Sequence, residues 1–109
     1  DVYKRQEQYR LRRDYVMQRI AEIPGLSCHT PAGTFYAFIN ISRLGMPCEE
    51  FAMKLLEEKQ VVVVPGTAFG DFGEGYIRLS YATSMECLEQ GLDALEAFIR
   101  SHMAGEDPA

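Results

Sequence analysis

Residues 61–82, reading VVVVPGTAFGDFGEGYIRLSYA, leave few folds open to this chain. The four valines at 61–64 are apolar at consecutive positions, which predicts a strand covered on both faces, as in the centre of a sheet. Residues 65–75 carry Gly66, Gly70, Gly73 and Gly75, so a loop with tight backbone turns follows. Residues 76–81 then alternate, with Ile77, Leu79 and Tyr81 on one side and Tyr76, Arg78 and Ser80 on the other. An arginine on such a semi-polar strand face, with apolar neighbours in sequence, needs an anionic partner, because an unpaired buried charge is costly. Its planar fork suits a carboxylate or phosphate. By spacing alone, an internal salt bridge with one of the 16 acidic residues and an external anion are equally open.

The remainder supplies the elements that such a sheet needs. Tyr9, Val16, Met17, Ile20 and Ile23 recur at helical spacing over residues 7–23, and Pro24-Gly25 ends that helix. Residues 26–30 predict a short edge strand, and Pro31-Ala32-Gly33 a turn or bulge. Residues 34–41, TFYAFINI, predict a strand with Phe35, Ala37 and Ile39 on one face and Tyr36, Phe38 and Asn40 on the other. After a loop, Pro47 suits the first helical position, with Glu49 and Glu50 at the positive end of the helix dipole. Cys48, Phe51, Ala52, Leu55 and Leu56 trace its apolar stripe. Thr83 and Glu86 fit a capping box before a last helix whose apolar face is Leu88, Leu92, Leu95, Phe98, Ile99 and Met103. The expected fold is α+β: a small, mostly antiparallel sheet with helices packed on it, in the order helix-strand-strand-helix-strand-strand-helix. All 109 residues form one domain, with 104–109 a frayed tail. The chain opens without Met, which predicts a piece of a longer polypeptide. Its first six residues, DVYKRQ, read like translated adaptor sequence, and no expectation rests on them.

Charge and composition narrow the function. The net charge is -5, yet six of the 11 basic residues fall in the first nineteen positions. The remainder of the chain is acidic and would repel a phosphate backbone, so these basic residues predict a solvated helix face and no nucleic-acid partner. No apolar run approaches the ~20 residues of a membrane span. Cys28, Cys48 and Cys87 are odd in number and widely spaced, which predicts reduced thiols in the cytoplasm and neither a disulfide framework nor a zinc site. Asp71-Phe72-Gly73 matches a kinase triplet without the kinase catalytic loop or lysine. Gly73-Glu74-Gly75 starts a dinucleotide fingerprint that fails at Arg78 and precedes a strand instead of a helix. His29 and His102 have no partner at metal or triad spacing.

Several motifs in order carry a family resemblance. Arg12-Arg13-Asp14, Ile23-Pro24-Gly25-Leu26 and Pro31-Ala32-Gly33-Thr34-Phe35-Tyr36 resemble an "RRD…PGL…PxGxFY" run. Val63-Val64-Pro65-Gly66-Thr67-Ala68-Phe69-Gly70 with Gly75-Tyr76-Ile77-Arg78-Leu79-Ser80 resembles a "VxPGxxFG…GxxRxS" signature. Together they resemble the C-terminal small domain of the class I/II aminotransferases, the fold type I, aspartate aminotransferase-like enzymes that use pyridoxal 5'-phosphate (PLP). The resemblance implies that Arg78 binds the α-carboxylate of an amino acid or 2-oxo acid, and that Gly33, Phe35 and Tyr36 lie at the mouth of the site. It also implies a homodimeric parent enzyme. One departure is informative: no serine is followed at +3 by lysine, and Lys4, Lys54 and Lys59 are poorly placed for a Schiff base. The resemblance therefore puts the cofactor and the amine that holds it outside this chain. The alternative is a stand-alone α+β ligand-binding module in which Arg78 grips a carboxylate effector.

Overall fold

In the computed structural model, residues 2–29 and 35–103 are described. Alternation on the two longest strands divides the molecule into layers. Strands β1 (Ser27–Cys28), β2 (Tyr36–Asn40), β3 (Val64–Pro65) and β4 (Tyr76–Ser80) form one sheet in the order β1-β2-β4-β3, with every neighbouring pair antiparallel. The β2–β4 register runs from Tyr36 opposite Ser80 to Asn40 opposite Tyr76. That pairing puts Ala37, Ile39, Ile77 and Leu79 on one face, where all are buried. Helices α1 (Val2–Glu22), α2 (Cys48–Lys59) and α3 (Met85–Met103) cover this face. The opposite face carries Tyr36, Phe38 and Tyr76 in the open, each more than a third exposed. The result is the expected α+β layer pair, with its elements in the expected order.

The helices supply the core from single stripes. Val16, Ile20 and Ile23 come from α1 and its end, Cys48, Phe51, Ala52 and Leu55 from α2, and Leu88, Leu92, Leu95, Phe98 and Ile99 from α3. Phe51 and Phe98 meet edge to face, their centroids 5.2 Å apart, which locks α2 against α3. Arg19, largely covered, reaches from α1 to Asp93 at 2.8 Å and Glu96 at 2.9 Å on α3. His102 Nε2 lies 3.1 Å from Glu58 and its ring packs on Phe98, tying the far end of α3 to α2.

Four expectations need correction. Helix α1 begins at Val2, upstream of the expected start, carried by a polar surface rather than an apolar stripe. The valines do not form a central strand: β3 is two residues long and lies at the edge, with Val63 buried and Val62 70% exposed. Pairing on one side leaves alternate residues outside the core, which four identical side chains cannot signal. Leu56 rotates off the buried stripe of α2 and is 49% exposed. The cap of α3 is Ser84, whose Oγ accepts the Cys87 N–H at 3.1 Å. Thr83 stands one residue too early, and Glu86 is then in the second helical position. The expected turn at Pro31-Ala32-Gly33 and the frayed tail lie outside the described residues.

The glycine loop folds into two short 3-10 turns, Gly66–Phe69 and Asp71–Gly73. They meet backbone to backbone. A Cβ on Gly66 would stand 2.0 Å from the Gly73 carbonyl oxygen, and a Cβ on Gly73 would stand 1.9 Å from that of Gly66. Two contacts then moor the loop to the N-terminus of α2, where the cap residue Pro47 makes no side-chain bond. Glu74 accepts the N–H of Cys48 at 2.9 Å and that of Gly75 at 2.8 Å. Thr67 Oγ1 donates to Glu49 at 2.9 Å. The Cys48 and Gly75 amides favour the charged form of Glu74 and hold its carboxyl below the ordinary value of 4.5.

Gly66→Ala and Gly73→Ala each force backbone apart, and each should lower stability by roughly 2 kcal/mol or more, read as a lower urea midpoint. Gly91→Ala is the opposite case, because a Cβ there meets nothing within 4 Å. On the interior of α3 it should stabilise by about 0.5–1 kcal/mol. Glu74 has its carboxyl lowered in the folded chain, so its contribution is present above the unfolded value and is lost as pH falls through the folded one. Glu74→Gln should therefore flatten the stability curve on its acid side, as pH falls below the ordinary carboxylate value, measured by denaturation at a series of pH values.

Candidate functional site

Arg78 occupies the middle of β4, the one strand paired on both sides at that point, with Phe38 opposite it on β2 and Val64 opposite it on β3. Its backbone is therefore held by two ladders, while its partly buried side chain rises on the open face. Two rings flank the guanidinium. Its Cζ lies 4.2 Å from the centroid of Tyr36 and 4.5 Å from that of Phe69. Both distances fall within the range of cation–π attraction, and a guanidinium also stacks on an aromatic plane. Phe69 is braced in turn by Phe38, edge to face at 5.7 Å. Among the described residues, no carboxylate lies within ion-pair distance of Arg78. The internal salt bridge left open above does not form among them.

Rings can satisfy the faces of a guanidinium but not its in-plane donors. Those N–H groups bond to oxygens, and a carboxylate presents two at the matching spacing. A cavity of about 130 Å³ opens on the same face, lined by Phe38, Asn40, Tyr76, the β1 residues Ser27 and Cys28, and His29 just beyond them. It shares Phe38 with the aromatic cluster. Burial pushes the Cys28 thiol up, which makes it a poor nucleophile. A larger groove of about 330 Å³, lined by Val61, Leu79, Leu88 and Leu92, lies on the helix side and has no part in this arrangement.

The other expected site residues separate. Tyr36 is at Arg78. Phe35, next in sequence, points to the other side and stacks on Tyr9 of α1 with centroids 4.3 Å apart, while its carbonyl accepts the Tyr81 N–H. Gly33 lies outside the described residues. Phe69 was not foreseen. It stands in a loop without periodicity, and only the strand register that brings the loop over Arg78 could have disclosed it.

The residues present do not make a seat for PLP. Lys54 is engaged with Glu50 at 3.3 Å on α2, Lys59 ends that helix, and Lys4 is exposed on α1. None belongs to the sheet face that carries Arg78. Among the described residues, no group of acidic, histidine or cysteine side chains could hold a metal ion, and no helix is long and apolar enough to cross a membrane.

Comparison with known proteins shows the family to which the chain belongs. The family described as aminotransferase class I and II matches residues 1–95. The aspartate aminotransferase of Pyrococcus horikoshii is 47% identical over 87% of this chain, which corresponds to 24% of that enzyme. The crystal structure of an aromatic aminotransferase from Pyrococcus horikoshii OT3 superposes with a TM-score of 0.87 at 40% identity, over 92% of this chain and 26% of that one. A PLP-dependent aminotransferase from Streptococcus suis 89-1591 superposes over 92% of this chain and 26% of its own, with a TM-score of 0.84 at 33% identity. The chain thus spans about a quarter of the length of the relatives it matches. With a match that runs through both the arginine strand and the glycine loop, the chain belongs to the class I and II aminotransferases.

Proposed function

We propose that this chain is the substrate-clamping part of a PLP-dependent amino-acid aminotransferase, with Arg78 receiving the α-carboxylate of the amino acid or 2-oxo acid. The observation that carries this reading is a charged fork on a doubly paired strand, flanked by rings and without a carboxylate partner among the described residues. Strand pairing fixes where the fork stands, so the carboxylate it holds is oriented before any bond is broken. The rings exclude water from its faces, which strengthens the charge-assisted bonds at its edge. Tyr36 forms one wall of that clamp, and Phe35 precedes it at the entry to β2.

PLP supplies an electron sink for moving the amino group, and in this reading it is held, with the lysine that binds it, by the part of the enzyme outside this chain. The chain by itself should neither transaminate nor bind the cofactor covalently. The complete enzyme works in the cytoplasm as a homodimer, by the family likeness. Aspartate or glutamate leads as donor, and an aspartate aminotransferase is among the relatives. The likeness to an aromatic aminotransferase keeps aromatic donors in view, with alanine a further possibility.

The test begins with the coding sequence upstream of Tyr9, read on a single molecule of source DNA. A large domain carrying a serine followed at +3 by lysine is expected. A start codon just upstream would instead favour a stand-alone carboxylate-binding module. In the complete enzyme, Arg78→Lys should raise KM and cost roughly 2–4 kcal/mol in kcat/KM, because an ammonium cannot fork. Steady-state kinetics unchanged by that substitution would remove the carboxylate assignment.

A further inference from the structure

We infer that Phe69 is a positioning residue for Arg78: it holds the plane of the guanidinium so that the N–H edge faces the substrate carboxylate. This rests on the reading of Arg78 given above and adds a residue from a different part of the chain.

The inference comes from a contrast within one loop. Phe69 and Phe72 are three residues apart on adjoining 3-10 turns. Phe72 is fully exposed. Phe69 has one side of its ring against Phe38 and the Arg78 Cζ 4.5 Å from its centroid, although half of its surface remains open. Burial alone would favour covering either ring. The fold covers only the one that touches the arginine.

The loop is also built to keep that ring still. Gly66 and Gly73 touch backbone to backbone, and Glu74 and Thr67 bind the N-terminal turn of α2. A ring borne on so many fixed points is a rigid surface. An arginine side chain freed from it would regain rotamers and present its fork less often in the productive direction. Tyr36 alone would still touch the guanidinium, so the loss should be partial.

A positioning role makes specific demands on kinetics. In the complete enzyme, with the best donor among L-aspartate, L-alanine and L-phenylalanine, Phe69→Ala should raise KM roughly threefold to thirtyfold, the range of a cation–π contact. The rate at saturation should change less, since binding is what weakens. Phe69→Tyr keeps a ring face and should return KM to within about twofold of the parent, whereas Phe69→Leu, similar in bulk but without a ring face, should keep most of the defect. Phe72→Ala should leave KM unchanged. Thermal unfolding of each variant separates a loosened loop from a misdirected arginine, and the Tyr and Leu variants decide the matter if Phe69→Ala fails to fold.

An unchanged KM in Phe69→Ala, full rescue by leucine, or an equal loss from Phe72→Ala would each overturn the inference. If Arg78→Lys weakens binding while the Phe69 variants do not, only the role of Phe69 falls. If neither has an effect, the reading of Arg78 falls with it.

Discussion

The ladder between β2 and β4 governs this molecule. Five residue pairs hold the two strands in one register, and that register assigns each side chain to a layer. A slip of one residue would turn Ala37, Ile39, Ile77 and Leu79 toward solvent and bring Tyr36, Phe38 and Arg78 into the helices. The second outcome would bury a guanidinium among apolar side chains, at a cost no packing gain could offset. The core and the arginine therefore enforce the same alignment from opposite faces. Stability and ligand recognition share one constraint.

That sharing explains the division of labour among the other elements. The helices cover one face and reach one another through Phe51 on Phe98 and Arg19 on the acids of α3. None of those contacts touches the arginine face. The glycine loop contributes little to the core but sets an aromatic ring over the strand. It is moored through Glu74 to the start of α2, where orphan backbone amides and the helix dipole favour a carboxylate. The recognition face is thus braced by the end of a helix whose apolar stripe belongs to the other layer.

Much of this was legible in the residues. Alternation in 36–40 and 76–80 disclosed both strands and their faces, and the leucine spacing after Met85 disclosed α3. Arg78 stood out because its residue type disagreed with its neighbours. What failed did so for physical reasons. Four consecutive valines have no alternation, so they cannot say whether one side or both are paired. Thr83 and Ser84 carry the same capping chemistry, and backbone geometry chooses between them. Phe69 meets Arg78 and Phe38 only through the pairing of strands, and Gly66 meets Gly73 only through the path of the two turns between them. No local pattern encodes such a meeting.

The touching backbones of Gly66 and Gly73 bear on how this loop can diversify. Each glycine excludes a side chain because of the other's carbonyl, so changing both together gives no relief. The usual route by which one substitution opens space for a second is closed here. Between these two fixed points stands Phe72, whose side chain meets only solvent in this chain. Variation in the loop should therefore collect at Phe72 while its path stays the same. A library built on this scaffold would sample new surface chemistry on the loop without redrawing the backbone that carries it.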